Sequence, residues 1–172
     1  MEIDKLFRDL SPRVPYGVIG KVSIDVTTKD IDMEGFHIDE QMDVDVILTD
    51  INIDGDIKFM AVHGSSEDLA YTIQEWSEYG VFTYKDFKPY LRPMSSMTEE
   101  EKKEYIEYAG YEIEESVNGR HYEYYLKDFC GTPDNPSVNA DGVDWLNKKM
   151  FDYRGLIPKG IALKAKEGMY NN

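Results

Sequence analysis

Two stretches of side-chain alternation commit this chain to an antiparallel sheet. Val18, Val22, Ile24 and Val26 share one parity while Lys21, Ser23, Asp25 and Thr27 take the other, the period of a strand with one face in a core and one in water. Gly20 lies inside that run and leaves room for a bulge or for close approach by a neighbour. Asp43 to His63 reads as two further β-rich runs about a turn. A two-residue turn at Asp54-Gly55 would oppose Ile53 to Asp56 and Ile51 to Lys58. A three-residue turn, Asp54-Gly55-Asp56, opposes Ile53 to Ile57, Ile51 to Phe59 and Thr49 to Ala61. The second register keeps the apolar set on one face and is the one predicted.

The helical signals fall around these strands rather than alternating with them. Ile3, Leu6, Phe7 and Leu10 recur at helical spacing before Ser11-Pro12 forbids continuation. Ser65 or Ser66 is placed to cap a helix with an apolar stripe of Leu69, Ile73, Trp76 and Tyr79, ended by Gly80. Both Trp76 and Trp145 are expected to be mostly buried. Thr98 and Glu101 form a capping-box pattern ahead of a helix to Ala109. Asn118-Gly119 between Tyr111–Val117 and Arg120–Leu126 is the strongest hairpin signal in the chain and predicts a two-residue type I′ turn. Gly131 to Asn139, with two prolines, reads as a loop. Asp141 is placed to cap a short helix carrying Trp145, Leu146 and Met150, Asp152-Tyr153-Arg154-Gly155 is a turn, and the extended tail docks in part through Leu156, Ile157, Ile161 and Leu163.

The predicted class is therefore α+β rather than a doubly wound parallel sheet. Residues 1–94 form a β-rich module with an N-terminal helix and one internal helix, in which the antiparallel sheet is curled, an SH3-like arrangement being one option. Residues 95–172 supply a helix, an additional hairpin, a short helix and an extended tail, packed as one unit with the first.

Charge narrows the partners. Lys and Arg number 19 against 34 Asp and Glu, a net charge of −15. Asp25 to Asp56 alone holds eleven acids against Lys29, a sum of −10, whereas Trp145 to Gly168 carries six basic residues against two acids, about +4. Nucleic acids and anionic membranes require a basic footprint, so direct binding to either is not expected. The N-terminal residues carry Asp4, Arg8 and Asp9 among apolar ones, which does not suit a signal peptide, and no apolar run reaches spanning length. With Cys130 the single cysteine, a reducing, cytoplasmic setting is expected.

Chemistry-bearing patterns are weak. Asp50-Ile51-Asn52-Ile53-Asp54-Gly55-Asp56 matches the first half of a calcium loop, but the twelfth position, where a bidentate Glu belongs, is Ala61. The hairpin reading explains the same residues, so no tight calcium site is expected. His37, His63 and His121 lack metal-ligand spacing, and Cys130 with His121 matches no nucleophile signature. Tyr105, Tyr108, Tyr111, Tyr122, Tyr124 and Tyr125 could stack bases, yet their neighbours are glutamates, which oppose phosphate. No catalytic, cofactor-binding or metal-binding residue is assigned.

Lys88-Pro89-Tyr90-Leu91-Arg92-Pro93-Met94-Ser95-Ser96-Met97-Thr98-Glu99-Glu100, Asp144-Trp145-Leu146-Asn147, Phe151-Asp152-Tyr153-Arg154-Gly155-Leu156-Ile157 and Glu167-Gly168-Met169-Tyr170, with Leu10 to Val18, form a combined string over about half the chain. It resembles an uncharacterised family of gut-anaerobe genomes and prophage-like elements. The resemblance implies a phage or mobile-element setting in a bacterial cytoplasm and brings no activity with it. The expected function is a non-enzymatic, protein-binding or accessory role. The alternatives are an acidic decoy that mimics nucleic acid on a host defence protein, which requires the acids of Asp25 to Asp56 to share one face, and a metal-dependent enzyme, which requires a cleft of histidines and carboxylates.

Overall fold

The computed structural model describes residues 3–28, 38–80, 82–108 and 140–170. The chain is α+β and divides into two compact units, Met1–Pro89 and Tyr90–Asn172. Among the described residues three strand pairings are antiparallel and one is parallel, and the sheet they form is open, not closed into a barrel.

The first unit begins with α1 (Ile3–Leu10), which runs into a 3-10 helix, Ser11–Tyr16. Pro12 does stop the α-helix, and the Ser11 hydroxyl donates to the Phe7 carbonyl at the junction (2.9 Å). Three strands follow, β1 (Ile19–Thr28), β2 (Ile38–Ile51) and β3 (Ile57–Ala61), with β2 in the middle. The β1 parity holds: Val18, Val22 and Ile24 are buried, while Ser23 is exposed and Lys21 half-buried.

Gly20 serves close approach rather than a bulge. It is buried under the Phe87 ring, whose nearest atom would lie 2.2 Å from an added Cβ, and Phe87 itself is fully buried. Gly20→Ala is accordingly expected to cost about 1–3 kcal/mol by overpacking. Phe87→Leu in the same chain should recover part of that loss, read as a urea midpoint. Equal midpoints for wild type and Gly20→Ala would contradict the packing.

The β2–β3 register differs from the sequence expectation. Ile51 opposes Ile57, Asp50 opposes Lys58 and Leu48 opposes Phe59, with a bulge between Leu48 and Asp50. The parity count assumed an unbroken strand; the extra residue, Thr49, lets both Leu48 and Ile51 face inward. Ile51–Ile57 is the last pair, so Ile53 lies in the connection beyond the ladder and stands 93% exposed. The connecting loop is wider than three residues, because Asn52 organises it. The Asn52 Oδ1 accepts from the Asp54 and Asp56 amides (both 2.9 Å), its Nδ2 donates to Asp56 Oδ2 (2.9 Å), and the Gly55 amide donates to the Asn52 carbonyl (3.0 Å).

Helix α2 (Glu67–Tyr79) packs over β3, with the Ser66 hydroxyl accepting from the Leu69 amide as N-cap. Ile73 is buried and Leu69 and Trp76 are half-buried, so the expectation for Trp76 holds only in part. Tyr79 is 81% exposed, against expectation. At roughly 3.6 residues per turn it lies about 120° around the helix from Ile73, off the buried stripe. Ser77 takes the inward place instead, and its hydroxyl accepts from the Phe59 amide (2.9 Å). The last turn of α2 has no basic residue of its own; Lys58 supplies one, donating to the Ser77 and Glu78 carbonyls.

In the second unit, the Tyr90–Leu91 end of β4 (Lys88–Leu91) pairs in parallel with β5 (Leu163–Lys164). Helix α3 (Glu99–Tyr108) starts with the predicted capping box: the Glu101 amide donates to Thr98 Oγ1 (3.1 Å) and the Thr98 amide to Glu101 Oε2 (3.0 Å). Helix α4 (Ala140–Lys148) takes Asp141 into its first turn rather than using it as the cap, where its charge still suits the helix N-terminus. Trp145 is buried as expected, within a cluster formed with Tyr105, Ile106, Leu146 and Phe151. After α4, the Met150 amide donates to the Asn147 carbonyl (3.1 Å) and the Phe151 amide to the Leu146 carbonyl (2.9 Å), a Schellman ending with Met150 at φ 58° where glycine is usual. The Asn118-Gly119 hairpin, the Gly131 to Asn139 loop, His37, His121 and Cys130 lie outside the described residues.

Candidate binding groove

The second unit holds a groove of about 380 Å³ beside the turn that follows α4. Its shape starts with Asp152. That buried carboxylate accepts from the Leu156 (2.7 Å) and Ile157 (2.8 Å) amides, and Gly155 supplies the left-handed φ of 65° that lets the backbone fold around it. The turn is closed by the Gly160 amide donating to the Ile157 carbonyl (3.0 Å) and the Ile161 amide to the Leu156 carbonyl (3.1 Å).

Two backbone bonds bring Pro93 and Met94 to the opposite wall. The Arg92 amide donates to the Met150 carbonyl and the Asp152 amide to the Arg92 carbonyl, both at 2.8 Å. Tyr153, Ile157 and Pro158 complete a mainly apolar lining, and Arg154 and Lys159 edge it. The Arg154 guanidinium lies 5.2 Å from the Tyr153 ring centre, and Lys159 Nζ donates to the Arg154 carbonyl (3.1 Å). Because the Asp152 charge is turned inward onto amides, the groove presents an apolar floor and a cationic edge.

The wall is braced by Arg92, whose guanidinium binds Glu101 in bidentate fashion (2.7 and 2.8 Å) and lies 4.2 Å from the Phe151 ring centre. Burial alone would raise the Glu101 carboxyl, but the bonds from Arg92 and from the Thr98 amide outweigh it and hold the group below the usual carboxylate range. A carboxylate whose folded pKa is depressed contributes stability above its unfolded value and loses it as pH falls through the folded one. Stability is therefore expected to drop on acidification below about pH 4.5, and Glu101→Gln should shallow that drop while lowering stability at pH 7. Urea midpoints at neutral and acid pH measure both; parallel pH profiles for the two proteins would count against the assignment.

Of the remaining residues that the sequence singled out, His63 is exposed on a turn. The Asn52 side chain is occupied in organising its own loop, and among the described residues no group of three or more His, Cys, Asp or Glu is placed to hold a metal ion. Asp43 is lowered first by the Ser23 hydroxyl and then by Lys21, so that part of the acidic stretch is already partly countered within the sheet. Among the described residues no helix is long and apolar enough to cross a membrane.

Sequence reasoning found the Asp152-Tyr153-Arg154-Gly155 turn and the basic balance of the region, but not the groove. Its second wall depends on backbone bonds between Arg92 and the segment from Met150 to Asp152, which carry no side-chain signature. The fold and this site define an α+β protein with an apolar, cation-edged groove. Comparison with protein-family models, with curated proteins and with solved structures found no match.

Proposed function

We propose that this protein is a non-enzymatic, protein-binding accessory factor of a phage or mobile element, acting in the cytoplasm, and that its groove receives a partner segment in which an aliphatic side chain sits beside a carboxylate. The observation that carries this reading is the pairing of an apolar lining with Arg154 and Lys159 at the edge, in a chain whose net charge is −15. Such an edge selects for negative charge next to whatever apolar group fills the floor, and it sets orientation more than raw affinity.

The test uses immobilised peptides that place Ile or Leu between aspartates. Wild-type protein should be retained, less so as salt rises, and the variant Pro158→Glu/Lys159→Glu, changed at two exposed positions, should not. Equal retention of both proteins would remove the groove from the function. A hydrolase or nuclease activity abolished by one point substitution would remove the non-enzymatic reading.

A further inference from the structure

The chain itself displays a segment of the kind the groove fits. At the β2–β3 tip, Ile53 is 93% exposed and is flanked by the exposed Asp50, Asn52, Asp54 and Asp56. The tip is also pre-organised. Asn52 fastens both limbs of the loop, the Tyr84 amide donates to the Gly55 carbonyl (2.8 Å), and the Tyr84 ring lies over Gly55, 2.6 Å from where a Cβ would stand. Gly55 is at φ 89°, so an alanine there meets both the strained backbone and the ring. A loop backbone held by these bonds has less conformational freedom to lose on docking.

We infer that the Ile53 tip of one copy docks into the Tyr153–Lys159 groove of a second copy, with Asp54 facing the Arg154 and Lys159 edge. This rests on the groove reading above and names its partner as the chain itself. A groove of about 380 Å³ admits an aliphatic side chain with its neighbours. The signs match: the tip is acidic around an apolar point, and the groove is basic around an apolar floor. Because tip and groove are different surfaces, the contact is head-to-tail, so each copy that gives a tip still offers a groove and assembly extends or closes into a ring. The overall negative charge opposes association at low salt, while at about 0.15 M salt repulsion beyond about 8 Å is largely screened and the local contact dominates.

Sedimentation equilibrium of the full chain at that ionic strength tests it. The weight-average mass of wild type is expected to rise with concentration above the 19.9 kDa of one chain. Ile53→Ser and Pro158→Glu/Lys159→Glu, each at exposed positions, should stay at single-chain mass. Mixed together, these two variants should form a 1:1 complex that grows no further, since one retains the groove and the other the tip. Circular dichroism of each variant confirms that it is folded; should the groove variant unfold, Lys159→Glu alone takes its place. A wild type that remains at 19.9 kDa yet is still retained on the aspartate-flanked peptides overturns self-docking and leaves the groove reading standing. Loss of peptide retention as well overturns both.

Discussion

Asp9→Ala is expected to destabilise the first unit by about 3–5 kcal/mol, far more than a surface ion pair would suggest. Asp9 and Arg13 are both fully buried side chains, joined by Nε to Oδ2 at 2.9 Å and Nη2 to Oδ1 at 3.1 Å. The pair bridges the end of α1 and the 3-10 helix, holding the chain direction across Pro12 where backbone helix bonding is interrupted. Removing the carboxylate leaves a guanidinium in the interior without its bidentate partner, and that is the source of the cost. Replacing both members, as in Asp9→Leu/Arg13→Met, removes both charges together and should cost much less than the sum of the single substitutions. Urea unfolding of the four proteins closes the cycle. A single-variant loss below about 1 kcal/mol would place the pair among weak, solvated bridges.

Trp145→Ala is expected to cost a similar amount, about 3–5 kcal/mol, in the second unit. The indole is stacked on Phe151 (5.8 Å between centres, 12° between planes) and tilted against Tyr105 (5.4 Å, 59°), while Lys149 lies 5.4 Å from its ring centre. It is the largest member of the buried cluster between α3 and α4, so truncation opens a cavity between the two helices, outside which the Lys149–Glu104 pair (3.0 Å) lies. Trp145→Phe keeps the stack and should lose only part of that stability. Circular dichroism against urea reads both, and equal losses for Phe and Ala would show that stacking and volume are not what Trp145 supplies.

What was legible in the sequence was local. The β1 parity and the Thr98–Glu101 capping box each rest on residues within one turn or one strand and stand in the structure as read, and of the two serines offered as the cap of α2 the structure uses Ser66. Misreadings occurred where one residue breaks a count or where distant residues meet. Thr49 is indistinguishable by composition from any exposed strand residue, yet as an unpaired residue between Leu48 and Asp50 it breaks the two-residue parity on which the register was counted. Tyr79 looked like part of a stripe because it follows Trp76 by three, although the stripe turns toward Ser77. Asp9 and Arg13 have the spacing of an ordinary surface pair, and only the packing around them makes the pair interior. The groove was least legible of all, since Asp152 shapes it by accepting two amide hydrogens and Arg92 positions its wall through the backbone.

Deleting Thr49 would leave Leu48 across from Phe59, Asp50 across from Lys58 and Ile51 across from Ile57, with every inward side chain still inward. What would be lost is the local bend and added twist that a bulge gives its strand, and with them the direction in which Ile53 points. The core therefore has no need of Thr49, whereas the aim of the tip depends on it. A gain or loss of a single codon at that position could redirect the tip during descent without disturbing the residues that fold the sheet, so that reach and stability are free to evolve apart.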